Sequence, residues 1–415
     1  MKITSIETVR IEQHANLIWV LVHTDAGVTG LGETFFLSRT VEAYLHEHAA
    51  PRLIGQDPLD IGRIATLLAP YVGYRSPGVE MRGNSAIDIA LWDLFGKVCD
   101  QPLAQLLGGF ARRRIRTYNT CAGTGYMKNG RGQNSANFGL RAATRAFEPL
   151  DDLNGFLHHA DDLAESLLDE GIDAMKIWPF DLAAEKSGGQ FIDRADLARA
   201  LQPFEKIRAR VGDRMRIMVE FHSLWQLLPA IEIAHALEPF GVTWHEDPIP
   251  MNSLADLKRY ADSTRVPLCA SETLGTRHGF RDLLETGAAG ILNLDLSWCG
   301  GLTEARSIAT MAEAWHLPIA PHDCTGPVVL AASTHLSLHA PNAIFQESVR
   351  AFHRTWYRDL VTVLPPIEDG WISVPPGAGH GVELAPDLDA RFDAVRRVSD
   401  RGFDRGPDRE PAAGG

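Results

Sequence analysis

The sequence lacks three features that would each point to a particular class of protein. It contains no CxxC pair, and its five cysteines are scattered and odd in number, which argues against a disulfide framework and a thiolate zinc site. No apolar run reaches about 18 residues, so we expect no membrane-spanning helix. The sequence also lacks an excess of basic residues, since its net charge is −13. This argues against binding to nucleic acids or anionic membranes, which attract basic surfaces.

These absences leave a cytoplasmic protein as the expectation. The first residues, MKITSIETVRIEQH, alternate and carry charge, which is not the pattern of an export signal. We expect no nucleic-acid partner and no membrane partner. The expected partners are a small-molecule carboxylate substrate and further copies of the chain in a homo-oligomer.

The chain has enough apolar sequence for a large core. Its 415 residues are 45% hydrophobic and 22% charged, which suits one barrel plus a second domain. Alternating residues and the turn at Asp25-Ala26-Gly27 predict a strand meander over residues 1–33. Helical spacing of apolar residues follows, most clearly from Gly83 to Cys99. The N-terminal part is therefore predicted to be α+β.

Short apolar runs that end in acidic or basic residues recur through the second half of the chain. They place Lys176 in AMKIW, Glu220 and His222 in IMVEFH, Glu246 in TWHEDP, Glu272 in CASET, Asp295 in ILNLDL, His322 in APHD and Glu347 in FQES. From Glu220 onward the spacing is roughly 25 residues, close to one strand, loop and helix of a β/α barrel. The carboxyl ends of the strands in such a barrel meet at one rim, so these side chains are predicted to surround one pocket.

Two further segments flank this series. The run RIRTYNTC predicts a first barrel strand from residue 114, and a helix is expected over 152–169. The segment 122–150 is too long for an ordinary βα loop and is predicted to be a functional lid or disordered. A last helix is expected near 351–364, and the tail 401–415 has too little apolar sequence to fold.

Taken in order, these residues resemble the enolase superfamily, in its mandelate racemase and muconate lactonizing group, and most closely its sugar-acid dehydratases of the galactonate dehydratase type. The resemblance spans nearly the whole chain, through ALWDLFGK, PLAQLLGG, Lys176, VEFH, WHEDP, SET, DLSWCGGLTEA, PHD and QES. It implies an α/β fold in which an α+β capping domain, built from both chain ends, closes over a modified (β/α) barrel of the TIM type. The implied divisions are a capping domain over 1–113, a barrel over 114–350, a return to the cap over 351–400 and a disordered tail over 401–415.

The resemblance also implies bound Mg²⁺ and abstraction of the proton α to a carboxylate, which gives an enediolate. Glu220, Glu246 and Glu272 are the predicted metal ligands, because three carboxylates with no nearby cysteine form a hard site that suits Mg²⁺. The alternative is that these acids cap helices or form salt bridges. The family usually has Asp at the first position, so the longer Glu220 is expected to shift the metal slightly.

His322 with Asp295 is the candidate general base, since a carboxylate at one ring nitrogen raises the basicity of the other. Each residue alone would more often be structural. Lys176 is predicted to polarise the substrate carboxylate or to act as a base from the opposite face. Trp178 stands where the racemases have a second lysine, which argues against two-base racemisation.

His222 follows Glu220 by two positions, so it would point to the same side if the strand continued. A histidine there can protonate a departing β-hydroxyl, whereas the structural alternative stacks its ring with Trp225. The resemblance implies that Glu347 hydrogen-bonds the substrate carboxylate, which requires a raised pKa of the Glu347 carboxyl group. The alternative for Glu347 is an ion pair with Arg350.

The sequence therefore predicts a Mg²⁺-dependent dehydratase that converts an aldonate or aldarate to a 2-keto-3-deoxy acid. The alternative is an epimerase, racemase or cycloisomerase that shares the enediolate. A non-catalytic scaffold would be expected to lose some of these residues. Specificity is left open, because Lys128, Arg131, Arg141 and Arg145 in the segment 122–150 could meet a distal carboxylate or be solvated.

Overall fold

Two sheets and the helices around them organise the chain in the computed structural model, which describes residues 1–70, 77–128, 132–141 and 148–400. The strands are β1 (Ile3–Ile11), β2 (Leu17–Thr24), β3 (Thr29–Phe35), β4 (Ile115–Thr120), β5 (Ala174–Ile177), β6 (Arg216–Glu220), β7 (Trp244–Glu246), β8 (Leu268–Cys269), β9 (Gln346–Ser348), β10 (Ile367–Glu368), β11 (Trp371–Ile372) and β12 (Ala394–Ser399). The predicted tail 401–415, Arg131 and Arg145 lie outside the described residues, as does part of the segment 122–150.

The helices alternate with the strands from β5 onward. They are α1 (Ser38–Tyr44), α2 (Ala50–Leu53), α3 (Ile61–Leu68), α4 (Val79–Cys99), α5 (Leu103–Leu106), α6 (Asp152–His158), α7 (Ala160–Asp169), α8 (Asp181–Ser187), α9 (Arg194–Val211), α10 (Leu227–Leu237), α11 (Leu254–Ser263), α12 (Thr276–Thr286), α13 (Leu296–Cys299), α14 (Gly301–Ala314), α15 (Pro327–His339) and α16 (Arg350–Arg354). Among the described residues, none of the helices is long and apolar enough to cross a bilayer.

The first sheet is antiparallel and contains both ends of the described chain. Its order is β12-β1-β2-β3, so the predicted N-terminal meander is joined by the last strand. The pairing of β12 with β1 runs from Ile6 opposite Ser399 to Ile11 opposite Ala394. Helix α4 covers one face of this sheet and lies against β3. This α+β unit, formed from both chain ends, confirms the predicted capping architecture.

Two glycines in β3 allow α4 to approach closely. A Cβ on Gly30 would lie 2.0 Å from the carbonyl oxygen of Ala90, and one on Gly32 would lie 1.9 Å from that of Ala86. Both positions face the helix because side chains two apart in a strand share a face. The alternation in TGLGET thus sets the distance between sheet and helix.

The second sheet contains the predicted barrel strands. Strands β4, β5, β6, β7 and β8 are successive parallel neighbours, and β9 pairs with the other edge of β4. Single parallel bridges continue the order from Cys269 through Ile291, Leu292 and Ile319 to Ala343, so no continuous ladder closes the ring within the described residues. A buried cluster fills the interior, with Tyr118, Ala174, Met218, Trp244, Cys269, Ile291 and Ala320 as its members.

This arrangement confirms a modified (β/α) barrel, with its core packed below the strand ends. We propose the predicted divisions 1–113, 114–350 and 351–400 as the domain boundaries.

Two predicted helices differ from those observed. The helix predicted over 152–169 is interrupted at His159, whose φ of −133° and ψ of 46° are not helical, and forms α6 and α7. The last helix, predicted near 351–364, is reduced to the five residues of α16. Thr355, with φ −117° and ψ −103°, ends it, and a 3₁₀ turn over Trp356–Asp359 follows.

The close contact between β3 and α4 generates a stability prediction. Gly32→Ala should lower the free energy of unfolding by about 1–3 kcal/mol, because the added methyl group meets a helix carbonyl that cannot move aside. Gly62→Ala in α3 is the matched control, since a Cβ there has nothing within 4 Å. It should be neutral or stabilise by up to about 1 kcal/mol. Urea denaturation of both variants measures the difference, and equal midpoints would contradict the packing described.

Candidate active site

Three glutamates from successive parallel strands meet at the carboxyl ends of those strands. Glu220 ends β6 and lies opposite Glu246, which ends β7, whereas Glu272 follows three residues after the end of β8. One carboxylate oxygen from each lies within 4.8 Å of the others. Glu220 and Glu246 are buried. The structure therefore brings the three predicted ligands together, although Glu272 is placed by a turn rather than by its strand.

The three carboxylates have different electrostatic surroundings. Burial raises the pKa of Glu220 and of Glu246, and their mutual repulsion adds to the effect at Glu246. Burial would also raise the pKa of Glu272, but the neighbouring His322 outweighs it and lowers the value to about 2. The cluster thus concentrates negative charge that is only partly compensated by nearby cations.

Lys176 supplies positive charge to this cluster. Its Nζ lies 3.4 Å from Oε2 of Glu220 and 3.1 Å from Oε1 of Glu347, and it contacts Oε1 of Glu246 more closely still. Burial alone would lower the pKa of Lys176, yet Glu246 and Glu347 hold it well above its usual value. The side chain is therefore an ammonium group in this arrangement, surrounded by carboxylates.

The predicted pair of His322 and Asp295 is present. Nδ1 of His322 lies 2.7 Å from Oδ2 of Asp295, and its Nε2 lies 2.9 Å from Oε2 of Glu272. The other oxygen of Asp295 accepts hydrogen bonds from the backbone N–H (2.7 Å) and the hydroxyl (2.6 Å) of Ser297 at the start of α13. Burial lowers the pKa of His322, but its acidic neighbours, Glu272 first among them, raise it well above the usual value.

The pKa of Glu347 is shifted in the opposite direction from the one expected from the sequence. It accepts hydrogen bonds from the Tyr118 hydroxyl (3.0 Å), the Asp323 backbone N–H (2.9 Å) and the Thr120 hydroxyl. Burial raises its pKa, but the positive charges of Lys176 and His322 and these donors lower it overall. The expected raised pKa is therefore not found.

The alternative partner of Glu347 is also engaged elsewhere. Arg350 pairs with Asp152 at 2.5 Å and with Glu170 at 2.9 Å, and no ion pair between Arg350 and Glu347 occurs among the described residues. Glu347 thus belongs to the charged cluster rather than to a separate structural ion pair.

The backbone at His222 differs from the predicted continuation of the strand, although the side chain still lies at the site. The strand ends at Glu220, and His222 and Ser223 adopt left-handed conformations with φ of 50° and 56°. Nδ1 of His222 lies 2.8 Å from Oδ2 of Asp181, and its backbone N–H donates to Oε1 of Glu220 at 2.6 Å. Burial lowers the pKa of His222, but Asp181 and Glu220 outweigh it and raise the value to about 9.

The ring of His222 does not stack on Trp225. Its ring contacts among the described residues are with Trp178, at a centroid distance of 5.8 Å, and with Phe138, at 5.4 Å. His222 therefore lines the cavity together with Lys176, Glu220, Glu272 and His322.

Several functional neighbours were missed by the sequence reasoning. Asp181 lies at the start of α8, five positions after Lys176, and Tyr118 and Thr120 share one face of β4. The alternation within RIRTYNTC carried a signal for the last two, because alternate residues of a barrel strand point inward. Asp181 had no comparable signal, since its position depends on the turn between β5 and α8.

Aromatic side chains enclose the charged groups. The cavity is walled by Phe36 from the end of the first sheet, by Tyr126 and Phe138, and by Trp178 and Trp298. Apolar walls lower the local dielectric, which strengthens every charge interaction inside. A cluster of acids, an ammonium group and two imidazoles within such walls is suited to moving protons at a bound carboxylate.

Comparison with known proteins agrees with this geometry. The model of the mandelate racemase / muconate lactonizing enzyme N-terminal domain matches residues 3–108, and that of the enolase C-terminal domain-like family matches residues 159–388. D-galactonate dehydratase of Ralstonia nicotianae is 31% identical over 395 residues, which is 92% of each chain.

Solved structures give the same result. An enolase of the mandelate racemase subgroup from Agrobacterium tumefaciens is 61% identical with a TM-score of 0.86, over 97% of this chain and 99% of that one. An enolase protein from environmental sequencing of the Sargasso Sea is 43% identical with a TM-score of 0.85, over 96% of this chain and 99% of that one.

The position of Lys176 generates a second stability prediction. Lys176→Met should lower the free energy of unfolding by roughly 3–5 kcal/mol in the presence of a chelator, because it leaves buried carboxylates without their cation. Lys258→Met is the matched control, since the ion pair of Lys258 with Asp262 lies on the surface of α11. That variant should lose no more than about 0.5 kcal/mol. Thermal and urea denaturation measure both, and a similar small loss in each would contradict the charge compensation described.

Proposed function

This chain belongs to the mandelate racemase and muconate lactonizing enzyme family of the enolase superfamily, and from that premise we propose that it is a dehydratase of a sugar acid. The observation that carries the proposal is a second histidine, His222, on the cavity that is also lined by His322, Glu220 and Glu272. Elimination of water needs a base for the α-proton and an acid for the β-hydroxyl. The similarity to a D-galactonate dehydratase supports the same reaction.

Glu220, Glu246 and Glu272 are the proposed ligands of Mg²⁺. Three clustered carboxylates form an all-oxygen donor set. Oε2 of Glu220 accepts no hydrogen bond from a described residue, and its only ion-pair partner among those residues is the ammonium group of Lys176 at 3.4 Å. When bound, Mg²⁺ supplies positive charge that stabilises the negative charge developing on the substrate's carboxylate oxygens. Lys176, already held among these acids, adds a second positive charge on the side of Glu347.

His322 is the proposed base. Its Nδ1 faces Asp295, and its Nε2 faces Glu272 and the cavity. Glu272 favours the protonated ring, so the base form would need the charge of Glu272 to be taken up by a bound cation. The neutral tautomer with hydrogen on Nδ1 would then present the lone pair of Nε2 to the cavity. Nε2 would take the α-proton of the substrate, and the C–H electron pair would become the C=C bond of the enediolate. Asp295 would then stabilise the resulting imidazolium ion.

His222 is the proposed acid. Its Nδ1 is occupied by Asp181, so a proton on Nε2 can be given to the β-hydroxyl. The β C–O bond breaks, water leaves, and the enol tautomerises to a 2-keto-3-deoxy acid. Asp181 is a positioning residue in this scheme, since it holds the ring that carries the proton.

Epimerisation would need a second base on the face opposite His322. Trp178 stands two residues after Lys176 and its indole cannot accept a proton. Lys176 itself is held by three carboxylates. These features favour elimination over epimerisation.

The metal assignment is tested by stability rather than by turnover. Mg²⁺ at about 100 times its dissociation constant should stabilise the wild-type fold by about 2.7 kcal/mol, because it binds the folded state. Glu246→Gln should lose most of this stabilisation. Glu313→Gln, a change at an exposed position, should keep it. Thermal melting with and without Mg²⁺ measures the effect, and an equal shift in all three proteins would reject the ligand assignment.

A further prediction distinguishes the proposed roles of the two histidines. In D₂O, His222→Gln should retain exchange of the α-proton but lose 2-keto acid formation by roughly 10²- to 10⁴-fold, because hydroxide is a poor leaving group without an acid. His278→Gln on the surface of α12 is the control and should keep both reactions. Proton NMR follows exchange, and a semicarbazide assay follows the keto acid.

Two results would contradict the scheme. Keto acid formation by His222→Gln at a near wild-type rate would show that another group is the acid. Inversion at the α-carbon by the wild type, without keto acid, would identify an epimerase.

A further inference from the structure

Two buried acids of the capping domain bind the barrel just after the residues of the proposed base. The chain that follows Asp295 forms α13 and then α14, and the chain that follows His322 leads into α15. Glu33 in β3 contacts the start of α15, and Asp88 in α4 contacts the start of α14. Both acids are buried. The capping domain therefore contacts the base through the two helices that follow it in the chain.

Glu33 binds the start of α15 with one carboxylate oxygen. Oε1 accepts the backbone N–H groups of Val328 and Val329, at 3.1 and 3.0 Å, and Oε2 accepts the indole N–H of Trp19 at 2.6 Å. The N–H groups of the first helical turn have no partner within their own helix, so an acid here satisfies them. A Cβ on Gly326 would lie 2.1 Å from Oε1 of Glu33, so the turn before α15 packs directly on this acid.

Asp88 binds the start of α14 in a similar way. Its Oδ2 accepts the backbone N–H of Thr303 at 2.9 Å, and its Oδ1 accepts the hydroxyl of the same residue at 2.6 Å. A Cβ on Gly301, whose φ is 82°, would lie 2.4 Å from Oδ2 of Asp88. The N–H of Gly300 donates to the Ser85 hydroxyl of α4 at 3.0 Å. The chain between α13 and α14 is thus fixed to α4 over several consecutive residues.

The other side of the site is held without the capping domain. Lys176 pairs with Glu220 and Glu246, and the remaining side-chain hydrogen bonds of those two acids come from the N–H of His222 and the indole of Trp244. All of these groups belong to the barrel. The charged groups around Lys176 are therefore positioned by the parallel strands, whereas the base is also positioned by contacts with the capping domain.

We propose that Glu33 and Asp88 are positioning residues of the reaction. By fixing the starts of α15 and α14, they hold His322 and Asp295 in the orientation in which Nδ1 and Oδ2 lie 2.7 Å apart. The base is then fully assembled only while the capping domain is bound to the barrel. A misplacement of about 1 Å in a reacting group can slow a reaction roughly 10²-fold. This inference rests on the proposed function, because that function makes His322 the base.

The first test compares two substitutions of Glu33 that keep the length of its side chain. Glu33→Met removes both acceptors, so kcat for 2-keto acid formation should fall at least roughly tenfold while KM changes less than about threefold, since the groups around Lys176 stay in place. Glu33→Gln keeps one oxygen for the N–H groups of α15 and should recover most of the loss. An unchanged kcat in Glu33→Met, an effect on KM alone, or equal losses in both variants would overturn the inference.

A pair of identical substitutions on α4 controls for loss of stability. Asp93 is also buried, but it accepts the N–H groups of Leu31 and His380, which lie in the capping domain and its C-terminal return. Asp88→Leu should lower kcat at least roughly tenfold. Asp93→Leu should lower the melting temperature but keep kcat, when both are assayed at a temperature at which they are folded. Equal kcat in Asp88→Leu and wild type, or equal losses in the two variants, would contradict a positioning role.

The proton between His322 and Asp295 provides a readout that does not depend on turnover. In the full chain with Mg²⁺ and isotope-labelled histidine, NMR detects this Nδ1–H, which is assigned by its loss in His322→Asn. It should exchange with solvent at least roughly tenfold faster in Glu33→Met than in Glu33→Gln or wild type, because the contact opens more often. Equal exchange in all three proteins would overturn the inference.

The same measurement separates this inference from the proposed function. If the wild type forms no keto acid and exchanges no α-proton with any sugar acid, the dehydratase function fails. The exchange rate of the Nδ1–H still decides whether Glu33 positions the ring of His322.

Discussion

The burial of several carboxylates around one ammonium group is the constraint on which the site depends. Glu220, Glu246 and Glu347 come from three different strands, and each contacts Nζ of Lys176. Separated from that cation, such acids would have to take up protons or admit water, because an unpaired buried charge is very costly. Parallel strands meet this constraint by bringing distant residues to one rim. The apolar core packed below the cluster contributes the favourable burial that offsets this unfavourable free energy. Tyr118 belongs to that core, and its hydroxyl donates a hydrogen bond to Glu347.

The first sheet completes the enclosure through the end of β3. Glu33 accepts hydrogen bonds from the backbone N–H groups of Val328 and Val329 at the start of α15, at 3.1 and 3.0 Å. Thr34 donates to the carbonyl of Ser297 in α13, at 2.9 Å. The strand therefore contacts two segments of the barrel, one of which follows Asp295 directly. Phe36, the next residue after β3, forms a wall of the cavity as a result of these contacts.

The sequence was most informative where a candidate site residue lies on a regular strand, because its position then follows from the strand spacing. Glu220 and Glu246 end their strands, and Glu347 is the middle residue of the three-residue β9, so the regular spacing of acids predicted their convergence. It was less informative where a turn sets the direction of a side chain. The left-handed backbone at His222 and Ser223, rather than strand alternation, directs the imidazole toward Asp181. No pattern in the local sequence predicts that Asp181 is its partner.

The protonation of Glu347 could not be predicted either, for a related reason. Its pKa depends first on burial and on the charges of Lys176 and His322, and then on the hydrogen bonds from Thr120 and the backbone of Asp323, which belong to separate parts of the chain. Strand spacing gives the location of a carboxylate but not its donors. The same limit applies to the shortened last helix, which ends at the unusual backbone of Thr355 rather than where its apolar pattern fades.

The two histidines share one construction, and the proposed scheme gives them opposite roles. Each has an acid at Nδ1, Asp295 for His322 and Asp181 for His222, so each directs Nε2 toward the cavity. The acids alone cannot decide which ring takes a proton and which gives one. The surroundings of Nε2 decide it instead. Nε2 of His322 lies beside Glu272 in the carboxylate cluster, where the proposed scheme places the α-carbon of a bound acid. His222 lines both this cavity and the adjoining one, and the proposed scheme places the β-carbon next to it. In the proposed scheme the direction of proton transfer therefore follows from where the substrate's carboxylate is held, which is beside the buried charges around Lys176.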